Sequence, residues 1–219
     1  MKGARQGAAI AITACALLAW TGSARASGEP AFHCAHVRGG EAAVNPNPEG
    51  LPPIALGDST MLLPIPDLNQ VGYSVNARGC RGFLEAIGVA QKLRKRHRLP
   101  HLVLIAAYGN GGVNPNLIKL ALRTIGPSRV LALVTSYNAD TGAAPAPDTG
   151  ILFKARRQHP NQVLVLDWVR HSLRHHVAEP EPGAWFISDL FHPNFDGAAA
   201  YATFLARALR YAVDGNFPG

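Results

Sequence analysis

The chain has 219 residues, 47% hydrophobic and 16% charged, with 21 Lys+Arg against 14 Asp+Glu and a formal charge of +7. That length suits one domain with a small appendage, and the apolar fraction excludes a largely disordered chain. The 22 Gly and 17 Pro follow no period and there are three Cys, so collagen-like, coiled-coil and disulfide-dense scaffolds are excluded too.

Lys2 and Arg5 give a positive start, an apolar run extends from Ala8 to Trp20, and Ala24-Arg25-Ala26 closes the segment with a small-x-small triplet. This predicts a secretory signal peptide over residues 1–26. The run falls short of the roughly 20 apolar residues of a spanning helix, so no stable membrane insertion is expected. Lipoprotein processing at Cys15 is the alternative. Cleavage after Ala26 removes three basic and no acidic residues, lowering the charge to +4 and leaving two cysteines, Cys34 and Cys80. In an exported chain an even pair suggests a disulfide, with two unpaired buried thiols as the alternative.

Residues 27–50 are polar and rich in Pro and Gly, and read as an extended leader, loose unless Cys34 ties it down. The domain proper is expected over 51–219. Strands are predicted at Ile54–Leu56, Val71–Val75, His101–Ala107, Arg129–Thr135 and Val163–Leu166, with helices over Phe83–Arg96, Asn116–Thr124 and Gly150–Gln158. Continuous apolar strands without alternation are buried on both faces, as in a parallel sheet covered by helices. Ala198, Tyr201, Leu205, Ala208 and Ala212 mark one face of a last helix, with Asn194 placed as its N-cap. The expected architecture is a three-layer α/β/α domain with a mostly parallel sheet, in which ligands sit outside the carboxyl ends of the strands.

Three of those places hold reactive side chains. Gly57-Asp58-Ser59-Thr60 follows the first strand, Tyr108-Gly109-Asn110-Gly111-Gly112 the third, and Asp189-Leu190-Phe191-His192-Pro193 precedes the last helix. Together they supply a hydroxyl, an imidazole, a carboxylate three residues from it, and an amide donor, which are the parts of serine-based acyl transfer. Met61 stands where a Gly-x-Ser-x-Gly elbow has its second glycine, which argues against an ordinary α/β-hydrolase.

In order and spacing, these blocks resemble the SGNH (GDSL-type) esterase and acyltransferase superfamily over roughly Pro53 to Leu209. Asp167-Trp168 and Trp185-Phe186 are most similar to the SGNH domains of bacterial cell-wall and polysaccharide O-acetyltransferases. The resemblance implies a flavodoxin-like SGNH hydrolase fold, Ser59 as nucleophile, His192 as general base and then acid, and Asp189 as the orienting carboxylate. It implies an oxyanion hole of the Ser59 backbone N–H, the Asn110 side chain and a glycine of the second block. That block reads Arg78-Gly79-Cys80-Arg81-Gly82, with Cys80 at the usual glycine position, so Gly79 is the expected donor. A Cys34–Cys80 disulfide would then lie beside the site. Two further departures are Leu190, where the family often has Gly, and Gly109, one residue closer to the Asn than usual.

The basic cluster Lys92, Arg94, Lys95, Arg96 and Arg98 suits either anionic polymers or, more simply, a negative helix terminus. His171, His175 and His176 have a helical spacing that metal sites use, but no acidic or thiol ligand is near in sequence, so no metal and no cofactor is expected. The expected function is an exported serine esterase acting on small acyl esters, chiefly O-acetyl groups on carbohydrate. The alternatives are an O-acetyltransferase served by a separately encoded membrane acyl donor protein, and a non-catalytic wall-binding domain. The expected location is secreted, periplasmic or cell-envelope, and no nucleic-acid partner is expected.

Overall fold

The computed structural model describes Cys34, residues 37–47 and residues 49–213; the signal peptide predicted over 1–26 lies outside them. The strands are β1 (Val37–Gly40), β2 (Ile54–Gly57), β3 (Ser74–Arg78), β4 (Leu102–Ala106), β5 (Val130–Val134) and β6 (Val163–Leu166). They form one sheet in the order β1-β3-β2-β4-β5-β6, parallel throughout except that β1 runs antiparallel to β3. The helices are α1 (Ile65–Val71), α2 (Phe83–Lys95), α3 (Pro115–Ile125), α4 (Thr149–Gln158), α5 (Trp168–Ser172), α6 (Phe195–Leu205) and α7 (Arg210–Val213). No helix among the described residues is long and apolar enough to cross a membrane.

The period of two along each strand sorts its side chains into two cores. From β4, Leu102, Leu104 and Ala106 face Leu68 of α1 and Tyr201 and Leu205 of α6. Val103 and Ile105 face Phe83 and Ile87 of α2, Ile118 of α3 and Leu152 of α4. All five residues of β4 and of β5 are buried, which is why their sequences show no alternation.

The predicted helices over 83–96, 116–124 and 150–158 stand within a residue or so of α2, α3 and α4. Asn194 caps α6 by accepting from the Gly197 N–H at 2.9 Å. The remaining differences have local causes. Val71 ends α1 rather than starting a strand, because Gly72 at φ 110° closes that helix and β3 begins only at Ser74. Within the leader, Val37–Gly40 pairs with β3 through its backbone. Its Val-Arg-Gly-Gly sequence buries almost nothing, so no hydrophobic pattern announces it. The last helix breaks after Leu205 into a 3-10 turn and α7, although Ala198, Tyr201, Leu205 and Ala208 keep one buried face through the break.

Candidate active site

Strand β2 ends at Gly57, where a side chain would collide with that of Met61, which folds back over it. Lacking a Cβ there, the chain turns at once into a 3-10 turn over Ser59–Met61. Asp58 caps the turn, its Oδ1 accepting from the Thr60 N–H at 3.0 Å and from Thr60 Oγ1 at 2.7 Å. Ser59 is thereby held at the carboxyl end of β2 and is only 6% exposed.

Its Oγ lies 2.8 Å from Nε2 of His192, and His192 Nδ1 lies 2.5 Å from Asp189 Oδ2. The other carboxylate oxygen, Oδ1, accepts the backbone N–H groups of Phe191 and His192, both at 2.9 Å. Burial alone would raise the Asp189 carboxyl, but the bonds from the His192 ring and these two N–H groups outweigh it and hold it below its ordinary value. An ionised Asp189 fixes the tautomer with the proton on Nδ1, which leaves Nε2 to accept from the serine hydroxyl.

The turn that carries this pair has Leu190 at φ 57°, in the left-handed region that a branched side chain rarely adopts. Glycine would adopt this backbone without strain. Leu190 tolerates it because its side chain packs on the core and its carbonyl accepts from Nε2 of His176 at 2.9 Å. The His176 ring stacks on Tyr137 with centroids 3.7 Å apart. His176 thus braces the turn that carries Asp189 and His192, a role invisible in the sequence because the bond joins residues 14 apart in different segments.

After β4, Gly109 passes so close to the Phe191 ring that a Cβ would come within 2.8 Å of it. This approach brings Asn110 beside the turn that carries Ser59, with its side-chain N–H donating to Asp58 Oδ2 at 3.4 Å. Asp58 is 1% exposed, and burial lifts its carboxyl above the ordinary value despite the bonds from Thr60. Gly79 lies buried in the turn after β3 and, among the described residues, makes no hydrogen bond to Ser59 or Asn110. Gly82 is the second-block glycine that packs against the Asn110 backbone, but its N–H donates to Glu85 Oε2 at 3.1 Å. Cys80, next to Gly79, forms a disulfide with Cys34, linking the segment before β1 to this turn.

Sequence reasoning gave Arg81 no role. Its guanidinium is buried beneath the Ser59 turn and donates to Gly57 O at 3.1 Å, Asn76 O at 2.5 Å and Asn76 Oδ1 at 2.7 Å, tying β2 and β3 together.

The other predicted features lie elsewhere. Within the basic cluster, Arg94 donates to the carbonyls of Arg123 and Thr124 at 2.6 and 2.7 Å and so closes the carboxyl end of α3. His171 stacks on Phe204 and His175 on Trp185, while His175 Nδ1 donates to Gly183 O at 2.9 Å. Trp168 and Trp185, from two separate sequence blocks, stack with centroids 5.7 Å apart.

No family model matches the chain, and no curated protein matches it. Solved structures do. The C-terminal catalytic domain of Streptococcus pneumoniae peptidoglycan O-acetyltransferase A, solved with a methylsulfonyl adduct, superposes with a TM-score of 0.54 at 23% identity, over 73% of this chain and 93% of that one. A GDSL-like lipase from Bacteroides thetaiotaomicron superposes with a TM-score of 0.50 at 14% identity, over 74% of this chain and 88% of that one. At these identities the likeness is one of fold, and the fold is of the SGNH/GDSL hydrolase type.

Proposed function

We propose that this chain, built on the SGNH/GDSL-type fold, is an exported serine esterase that cleaves small acyl esters, chiefly O-acetyl groups on carbohydrate. The observation that carries the reading is the unbroken hydrogen-bond chain from Asp189 through His192 to Ser59, with an amide donor beside it. His192 Nε2 takes the proton as Ser59 Oγ bonds to the ester carbonyl carbon, and the carbonyl π electrons move onto the oxygen. The Ser59 N–H and the Asn110 side-chain amide receive that oxyanion, with Gly79 as a further backbone donor. Collapse expels the sugar alkoxide, which takes the proton from His192 and leaves an acyl-serine. Water, deprotonated by His192, repeats the sequence, releasing the acid and restoring Ser59.

Replacing water by a sugar hydroxyl in the second half turns the same cycle into an O-acetyl transfer. The fold likeness to a peptidoglycan O-acetyltransferase domain favours keeping that second reading, with the acyl group delivered by a separately encoded membrane protein. Export is supported by the Cys34–Cys80 disulfide, since such bonds persist in oxidising compartments.

The test is p-nitrophenyl acetate hydrolysis by the mature protein and by Ser59→Ala, with and without a sugar acceptor. Loss of about 10⁴-fold or more in kcat for the variant is expected. Acetylation of the acceptor would select the transferase, and equal rates for both proteins would leave a wall-binding domain with an idle triad.

A further inference from the structure

Beside the edge strand β6 lies a cavity of about 620 Å3 that the triad does not use. Arginines from separate elements converge on it: Arg156 of α4, Arg170 of α5, Arg174 of the following 3-10 turn, and Arg207 and Arg210 from the chain beyond α6. One carboxylate, Asp167, faces them, and it is already engaged by Thr135 Oγ1 at 2.9 Å and the Arg170 backbone N–H at 3.2 Å. Among the described residues, Arg170, Arg174, Arg207 and Arg210 form no ion pair. Like charges gathered around a concavity repel one another until an anion enters, and the concave wall strengthens the field inside.

The guanidinium groups are also pre-positioned. Arg207 sits 5.1 Å over the Phe204 ring and Arg210 5.0 Å over Tyr211, so less side-chain entropy is lost when they close on an oxyanion. Between them the lining is apolar, from Leu164, Val165 and Leu166 of β6. The space is in the range of ligand sites for molecules much larger than a single inorganic anion. A planar guanidinium fork matches a carboxylate or phosphate, and an apolar strip beside it suits the C–H face of a sugar ring. The lip of the cavity, at Asp167, lies at the carboxyl end of β6, the same end of the parallel sheet that carries Ser59 after β2. The two strands are three spacings apart, about 14 Å. An oligosaccharide spans that separation and a monosaccharide does not.

We propose that this cavity binds the negatively charged sugars of an acidic glycan, holding the polymer while an acyl group elsewhere on it reaches Ser59. The anion-binding half rests on the cavity alone; the sugar half rests on the esterase reading above.

The experiment is calorimetric titration of the mature protein with hexagalacturonate, with neutral maltohexaose, inorganic phosphate and phosphatidylglycerol vesicles as separate arms. Two variants of equal charge loss are compared: Arg170→Ala/Arg174→Ala/Arg207→Ala in the cavity and Lys92→Ala/Arg96→Ala/Arg98→Ala at the end of α2. Hexagalacturonate is expected to bind, with affinity falling with salt. The cavity variant should lose about tenfold or more, the α2 variant much less, and maltohexaose should bind at least about tenfold more weakly. Equal losses in both variants, equal binding of the neutral sugar, or no binding of hexagalacturonate would overturn the proposal. So would binding to phosphate or vesicles alone. Because calorimetry needs no turnover, failure of binding with Ser59-dependent hydrolysis intact rejects this inference only. Binding without Ser59-dependent hydrolysis rejects only the esterase reading.

Discussion

Asp58 stands next to Ser59, 1% exposed, with both carboxylate oxygens engaged, one by Thr60 and the other by Asn110. Burial raises its carboxyl, so the folded protein holds that proton more tightly than the unfolded chain, and stability is lost as pH rises from the ordinary carboxylate value through the folded one. Asp189 has the opposite sign: its lowered carboxyl contributes stability that is present above the ordinary value and lost as pH falls through the folded one. Asp58→Asn should therefore flatten the decline of Tm between acid and neutral pH, measured by thermal melts across that range. The same variant should slow hydrolysis by about 10-fold or more, because an amide at Oδ2 would set an N–H against the N–H of Asn110 and turn it away. Asn110→Ala removes the donor itself and should lower kcat by about 10²–10³-fold with little change in KM. An unchanged kcat would remove Asn110 from the oxyanion hole. Ser59, Asp189, His192 and Asn110 were legible as residue types in ordered blocks; Asp58 and His176 were not, since a capping Asp and a lone His carry no mark of what they touch.

At the scale of elements, the candidate site is a meeting of the Ser59 turn, the loop after β4 and the turn before α6, and small residues let them meet. The contact between Gly109 and Phe191 sets the loop carrying Asn110 against the turn carrying His192. Gly109→Ala should displace one of them and reduce kcat by about 10-fold or more, while far-UV circular dichroism stays unchanged. A wild-type rate would show that the two loops are positioned independently. Beneath them Arg81 joins the ends of β2 and β3 through three hydrogen bonds. Helices with a clear apolar face and a cap, such as α3 behind Asn114 and Pro115, announce themselves in the sequence. The seven-residue α1 and five-residue α5 do not, because so few turns show no period.

Across the described residues as a whole, a mostly parallel sheet covered on both faces holds Ser59, His192 and Asp189 at one end. The Cys34–Cys80 bond fastens the segment before β1 to the turn after β3, closing a loop with a sequence separation of 46. Cys34→Ser/Cys80→Ser should lose about 2–5 kcal/mol of stability and become insensitive to reductant, both read from melts with and without dithiothreitol. An unchanged Tm would mean that β1 holds through its backbone pairing alone. The amino-acid order by itself determined strands β2, β4, β5 and β6, helices α2 to α4, and the ordered blocks that carry Ser59, Asn110, Asp189 and His192, because apolar period and block spacing are local properties of the chain. Only the tertiary structure decided that β1 covers the edge of β3, that Arg81, Asp58 and His176 support the turns carrying Ser59 and His192, and that arginines scattered over residues 156–210 face one cavity. Those contacts join side chains far apart in sequence, and no local pattern encodes a distance through space.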